Sequence, residues 1–109
     1  MYIKTLLATL FLVHAVNAAL KCYTCDSTKG HTNCQSGSGV SSVECGMAPP
    51  VISKACLQYS ETVDGSTKYV RECSGRKNNV SPCQRMRDQG RKLPSCSDCD
   101  KSNCNGTPL

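Results

Sequence analysis

Ten cysteines constrain this chain more than any other feature, and all of them fall after residue 21: Cys22, Cys25, Cys34, Cys45, Cys56, Cys73, Cys83, Cys96, Cys99 and Cys104. The number is even and the chain has 109 residues. In an oxidising compartment that combination implies five disulfides rather than thiol chemistry.

The N-terminus points to such a compartment. Met1 to Lys4 is a short basic start, Leu6 to Val16 is apolar apart from Thr9 and His14, and Val16-Asn17-Ala18-Ala19 ends in small residues. This is the three-part pattern of a secretory signal peptide over 1–18, with cleavage after Ala18 or, as a second choice, after Ala19. The apolar run falls short of the ~20 residues that span a bilayer. After Cys104 only Asn105 to Leu109 remain, without the apolar tail of a glycolipid-anchor signal. The expectation is a secreted, extracellular chain with no visible membrane anchor, its mature part being one domain over 19–109.

Such a domain has little from which to build an apolar core. Its single Phe, Phe11, leaves with the leader, Trp is absent, and Tyr23, Tyr59 and Tyr69 are the aromatics that stay. A domain this small buries too little apolar area to offset chain entropy easily. Each disulfide adds roughly 2–4 kcal/mol, mainly by restricting the unfolded chain. The cross-links are therefore expected to hold the fold, and reduction to unfold it.

The clearest local signal is a hairpin. Val51 to Thr62 and Ser66 to Glu72 are β-prone, and Val63-Asp64-Gly65 between them carries the Asp-Gly pair that tolerates positive φ. Along the second run Lys68, Val70 and Glu72 alternate with Tyr69, Arg71 and Cys73, the period of a strand. Leu20 to Cys25 reads as a first strand and Val40 to Val43 as an edge strand. Paired prolines exclude a central strand around Gly46 to Pro50. Ser74 to Ser81 reads as a polar loop, Pro82 to Lys92 as a short helical turn, and Ser95 to Cys104 as a cysteine-dense tail.

The opening Leu20-Lys21-Cys22-Tyr23-Thr24-Cys25 and the closing Cys99-Asp100-Lys101-Ser102-Asn103-Cys104-Asn105 resemble the two ends of lymphocyte antigen 6 / urokinase-receptor (LU) domains and their snake-toxin relatives. The ten cysteines come in that family's order. The resemblance implies an all-β, disulfide-rich three-finger fold with five disulfides, paired Cys22–Cys56, Cys25–Cys34, Cys45–Cys73, Cys83–Cys96 and Cys99–Cys104. It implies a structural Asn105 whose side chain ties the C-terminus to the knot. Cys96 and Cys99 are separated by Ser97 and Asp98, and the Cys83 to Cys96 stretch is short. Both features resemble arthropod members.

Other chemistry has little footing. Cys22-x-x-Cys25 and Cys96-x-x-Cys99 could supply four thiolates to zinc, but the remaining six cysteines would oxidise in the secretory pathway, so no metal and no cofactor is expected. His31 is the one histidine left after the leader, and no Gly-x-Ser-x-Gly, phosphate loop or metal-binding His pair occurs, so the chain is read as no enzyme. Asp98 and Asp100 read as solvated carboxylates.

Loss of Lys4 lowers the excess of 13 Lys and Arg over 8 Asp and Glu from five to four. Arg71, Arg76, Lys77, Arg85, Arg87, Arg91 and Lys92 crowd the C-terminal half. They read as a solvated face first and as a steering patch for an acidic partner second. Without an aromatic stacking platform, no nucleic-acid partner is expected. Of two sequons, Asn79-Val80-Ser81 is the glycosylation candidate, while Asn105-Gly106-Thr107 is masked if Asn105 is bound at the knot.

The expected function is protein binding by a monomer. The contact surface would be the central finger tip, Glu61, Thr62, Val63, Asp64, Gly65, Ser66 and Lys68, followed by the basic third finger, Arg85, Arg87, Arg91 and Lys92. The resemblance implies a partner that is the extracellular domain of a membrane protein, whether receptor, ion channel or cell-junction component. The alternatives are a secreted toxin or defence protein and, if sequence continues beyond Leu109, a glycolipid-anchored surface protein.

Overall fold

A computed structural model describes residues 19–46 and 52–109. The expected leader over 1–18 and the Pro49–Pro50 pair lie outside the described residues. The elements are β1 (Lys21–Tyr23), β2 (Cys25–Asp26), a 3-10 turn (Ser27–Lys29), β3 (Ser42–Glu44), β4 (Ile52–Val63), β5 (Ser66–Lys77), α1 (Pro82–Asp88) and β6 (Ser95–Cys99). β1 and β3 form a two-stranded sheet, and the other strands form a four-stranded sheet in the order β2-β5-β4-β6. Every pairing is antiparallel. The molecule is a small all-β, five-disulfide three-finger domain.

The first expected strand divides at Thr24, whose N–H donates to the Ser41 carbonyl at 2.9 Å. Cys22 thereby joins one sheet and Cys25 the other.

β4 and β5 form the long central hairpin, in register from Val63↔Ser66 back to Ile52↔Lys77. Its turn sets Asp64 at φ 52 and Gly65 at φ 80. Two successive positive φ values match the twist of the strands, and Asp-Gly adopts them at low cost. β5 continues past Glu72 to Lys77, so Ser74 to Lys77 is strand rather than loop. Polar side chains concealed this, because backbone pairing with Ile52 to Ala55 supplies the bonds that local apolar pattern would otherwise signal. A second tight turn follows at Asn78 (φ 53) and Asn79 (φ 64). Lys77 and Val80 close it with reciprocal backbone bonds of 3.1 and 2.9 Å.

α1 starts where Ser81 caps it, its hydroxyl accepting from Gln84 N–H at 3.2 Å, with Pro82 in the first turn. Seven residues make too short a helix to stand in water alone. Its buried face, Pro82, Cys83 and Met86, supplies the missing stability. The tail expected after Pro94 is in fact strand β6, paired with Cys56 to Ser60 of β4.

Strand alternation sorts the interior into two clusters. On one face Leu57, Tyr59 and Val70 pack with Cys83 and Met86 of α1, flanked by Leu93 and Cys96. The other cluster is mostly sulfur: Cys22, Cys45 and Cys56, with Leu20, Cys73, Cys99 and Cys104 against them.

Candidate functional site

Disulfides join Cys22 to Cys56, Cys25 to Cys34, Cys45 to Cys73, Cys83 to Cys96 and Cys99 to Cys104. Two of them touch, with Cys22 Sγ 3.2 Å from Cys45 Sγ. The sulfurs of Cys22, Cys45 and Cys73 lie within 4.8 Å of one another, but each is already oxidised and offers no thiolate to a metal. This knot is the base from which the fingers extend.

Asn105 closes the knot and is 1% exposed. Its Oδ1 accepts from Tyr23 N–H at 3.0 Å, and its Nδ2 donates to the carbonyls of Tyr23 and Leu57, both at 3.0 Å. An edge of finger one, the centre of the hairpin and the C-terminus are thus held by one side chain.

Arg71 does the same on a larger scale, and it is interior rather than part of the expected solvated basic face. It is fully buried. Nε donates to the Cys34 carbonyl at 2.8 Å and Nη2 to the Gln35 carbonyl at 2.9 Å. Nη1 reaches Gln58 Oε1 at 2.6 Å and the carbonyls of Asn105 and Thr107 at 2.8 Å each. All these acceptors are neutral, and burial pulls the guanidinium below its usual pKa. The planar fork of donors spans backbone that a lysine could not. The space is tight: a Cβ on Gly106 would lie 2.8 Å from the Tyr23 ring, and one on Gly37 2.7 Å from the Gly106 carbonyl oxygen.

The expected docking residues separate into two groups. Glu61 is buried rather than presented at the tip. It takes Arg91 in a two-point pair, with Nε to Oε2 at 2.8 Å and Nη2 to Oε1 at 2.7 Å, while Lys68 Nζ lies 3.5 Å from Oε1. Hydrogen bonding from Arg91, then its charge and that of Lys68, hold the Glu61 carboxyl below its ordinary value against the opposing effect of burial. Arg91 also stands over the Tyr59 ring, 5.6 Å from its centroid. Together with the Thr62 N–H to Lys92 carbonyl bond of 3.0 Å, this pair locks the third finger to the central one. Glu61 and Arg91 are therefore an internal brace.

Val63, Asp64, Gly65 and Ser66 are exposed at the tip, as are Arg87 and Lys92 on the third finger. Thr62, Lys68 and Arg85 are half-buried, and an Arg85 Nη1–H points to the Val80 carbonyl at 3.5 Å. Val63 keeps 48% of its surface in solvent, and among the described residues Val43 is the other large apolar side chain left exposed. Beside it a groove of about 460 Å³ is lined by Ser27, Thr28, Val63, Ser66, Thr67 and Lys68. Val63 and this groove are the features of the tip best suited to contact.

A model of the Quiver family u-PAR/Ly-6-like domain matches residues 20–105. The chain belongs to this family. Comparison with curated proteins and with solved structures gave no match. Quiver-family membership places the chain among small, disulfide-rich domains of the u-PAR/Ly-6 kind, a class of secreted or surface proteins that are generally non-enzymatic.

Two features of this Quiver-family domain escaped the sequence reading. The inward turn of Arg71 had a signal: it lies two residues before Cys73 on a strand, so the two share a face, and Cys73 points into the knot. Asp98, expected in solvent, has only 8% of its side chain exposed and stands 3.4 Å from Arg76 Nη2. That neighbour became visible only when β5 and β6 were placed on either side of β4. His31 is structural, its Nδ1 accepting from Asp26 N–H at 2.9 Å.

Proposed function

We propose that this Quiver-family domain is a secreted, non-enzymatic protein that docks on the extracellular part of a membrane protein, a receptor, channel or junction component, and modulates or helps assemble it. The observation that carries the reading is the central finger: two 12-residue strands in full register, stapled at the base and ending in an exposed Val63-Asp64-Gly65-Ser66 turn beside an open groove. A hairpin this rigid loses little freedom on binding, so its few contacts translate into affinity with small ordering cost. The disulfides suit it to an oxidising extracellular medium. A membrane-lytic role would call for an apolar tip, whereas polar Asp64, Ser66 and Thr67 surround the exposed Val63.

The test is proximity labelling of intact tissue with the purified protein, beside a Val63→Asp variant whose thermal unfolding matches wild type. Labelling of specific membrane proteins by the wild type and its loss in the variant is the expected result. Identical labelling by both removes the central tip as the contact surface.

A further inference from the structure

The chain contains two asparagines in the Asn-x-Ser/Thr setting that accepts an N-linked oligosaccharide, Asn79 and Asn105. The structure treats them oppositely. Both Nδ2 hydrogens of Asn105 are committed, to the Tyr23 and Leu57 carbonyls, and the residue is 1% exposed. Glycosylation replaces one of those hydrogens with an anomeric carbon. It would cut a strand from the knot and demand room where even a Cβ on Gly106 meets the Tyr23 ring. A folded domain is incompatible with sugar at Asn105.

Asn79 lies at the exposed second position of the Asn78–Asn79 turn, and among the described residues no side-chain hydrogen bond engages it. Its sequon partner Ser81 stands at the mouth of the same turn, where it caps α1. β5 separates this turn from the finger tip. Its 12 residues, at about 3.4 Å each, put the two turns roughly 40 Å apart, at opposite ends of one strand.

We propose that Asn79 is an N-glycosylation site and that Asn105, despite its sequon, is not. The proposal rests on the extracellular reading above. In the transfer, Asn79 Nδ2 bonds to the anomeric carbon of a lipid-pyrophosphate-linked oligosaccharide. The anomeric C–O bond breaks, and the lipid pyrophosphate leaves as the amide gives up one proton. The glycan then shields the end of the molecule bearing α1 and the Asn78–Asn79 turn. It leaves the Asp64–Gly65 tip and its groove free for a protein partner.

The full chain is expressed in secreting eukaryotic cells, and protein from cells and medium is analysed by non-reducing peptide mass spectrometry. The expected result has five disulfides and a mobility shift of one glycan that enzymatic deglycosylation reverses, converting Asn79 but not Asn105 to aspartate. Asn79→Asp, which tolerates the same positive φ, should remove the shift and keep the disulfides. Ser81→Thr, which keeps both the helix cap and the sequon, should preserve it. Five disulfides with an unmodified Asn79, or sugar on Asn105 in the disulfide-bonded protein, overturns the proposal alone. Free thiols throughout overturn the extracellular reading and the proposal together.

Discussion

Replacing Arg71 by methionine, which keeps most of the volume and removes the guanidinium, is the sharpest test of how this domain closes. Three of its acceptors lose their donor in buried surroundings, namely the Cys34 carbonyl, Gln58 Oε1 and the Asn105 carbonyl. The Thr107 and Gln35 carbonyls are only partly buried and can be rehydrated. Leaving a buried acceptor unpaired costs about 1–3 kcal/mol, so the gross loss is about 3–9 kcal/mol. Methionine, however, avoids the several kcal/mol needed to take a guanidinium out of water. The net destabilisation should be about 1–5 kcal/mol, a sizeable part of the ~5–15 kcal/mol that a domain has in total. Guanidinium chloride unfolding with disulfides intact, followed by tyrosine circular dichroism, should show a lower midpoint at unchanged slope. Amide exchange should accelerate at Leu109, whose N–H donates to the Gln35 carbonyl, and at Tyr23, whose N–H donates to Asn105. Arg71→Lys should recover only part of the loss, because three ammonium hydrogens cannot reproduce the fork. A loss below about 1 kcal/mol for Arg71→Met, or full rescue by lysine, would refute the role assigned to this residue.

Glu61→Gln should lower stability at pH 7 by about 1.5–3 kcal/mol, the usual worth of hydrogen bonds to a charged partner. The native Glu61 carboxyl lies below its ordinary 4.5, so the unfolded chain binds the proton more readily. Its contribution is complete above pH 4.5 and disappears as pH falls through the lower native value; a pH series of thermal melts should show this in wild type and not in the variant. Glu72 behaves in the opposite sense. Burial first, then the Asp26 charge, raises its pKa above 4.5 despite Arg91, Lys68 and Lys29. Its stabilising influence is therefore present below pH 4.5 and lost as pH rises through the native value, so Glu72→Gln should raise the melting temperature at pH 7 and leave it unchanged near pH 3; a lower melting temperature at pH 7 would contradict the assignment. Gly106→Ala should cost about 1–3 kcal/mol in denaturant titration, because the new methyl would meet the Tyr23 ring.

Much of the fold was legible along the chain because its causes are local. Asp64-Gly65 announces a two-residue turn through the φ values those residues tolerate, and the alternation from Lys68 to Cys73 announces a strand. Pro82 opens the expected helical turn, because proline is tolerated in the first turn of a helix. Ten cysteines with almost no aromatic core announce a cross-linked domain. The pairing of those cysteines had no local cause, and resemblance alone suggested it. β6 was hidden because its five residues carry no apolar alternation and owe their form to the neighbouring strand.

The docking surface shows the same division. Glu61, Arg91 and Arg71 look like solvent-facing charges in a list of residues, because charge is a property of the side chain and burial is a property of what surrounds it. Arg71 meets Gln35 and Thr107, each 36 positions away in opposite directions, once the knot has folded both segments back upon β5. Composition and order thus set the cross-linked class, the turns and the strand period. Closure in three dimensions assigned each charge to brace or surface, since a hydrogen bond across so many residues exists only after the intervening chain has been brought home.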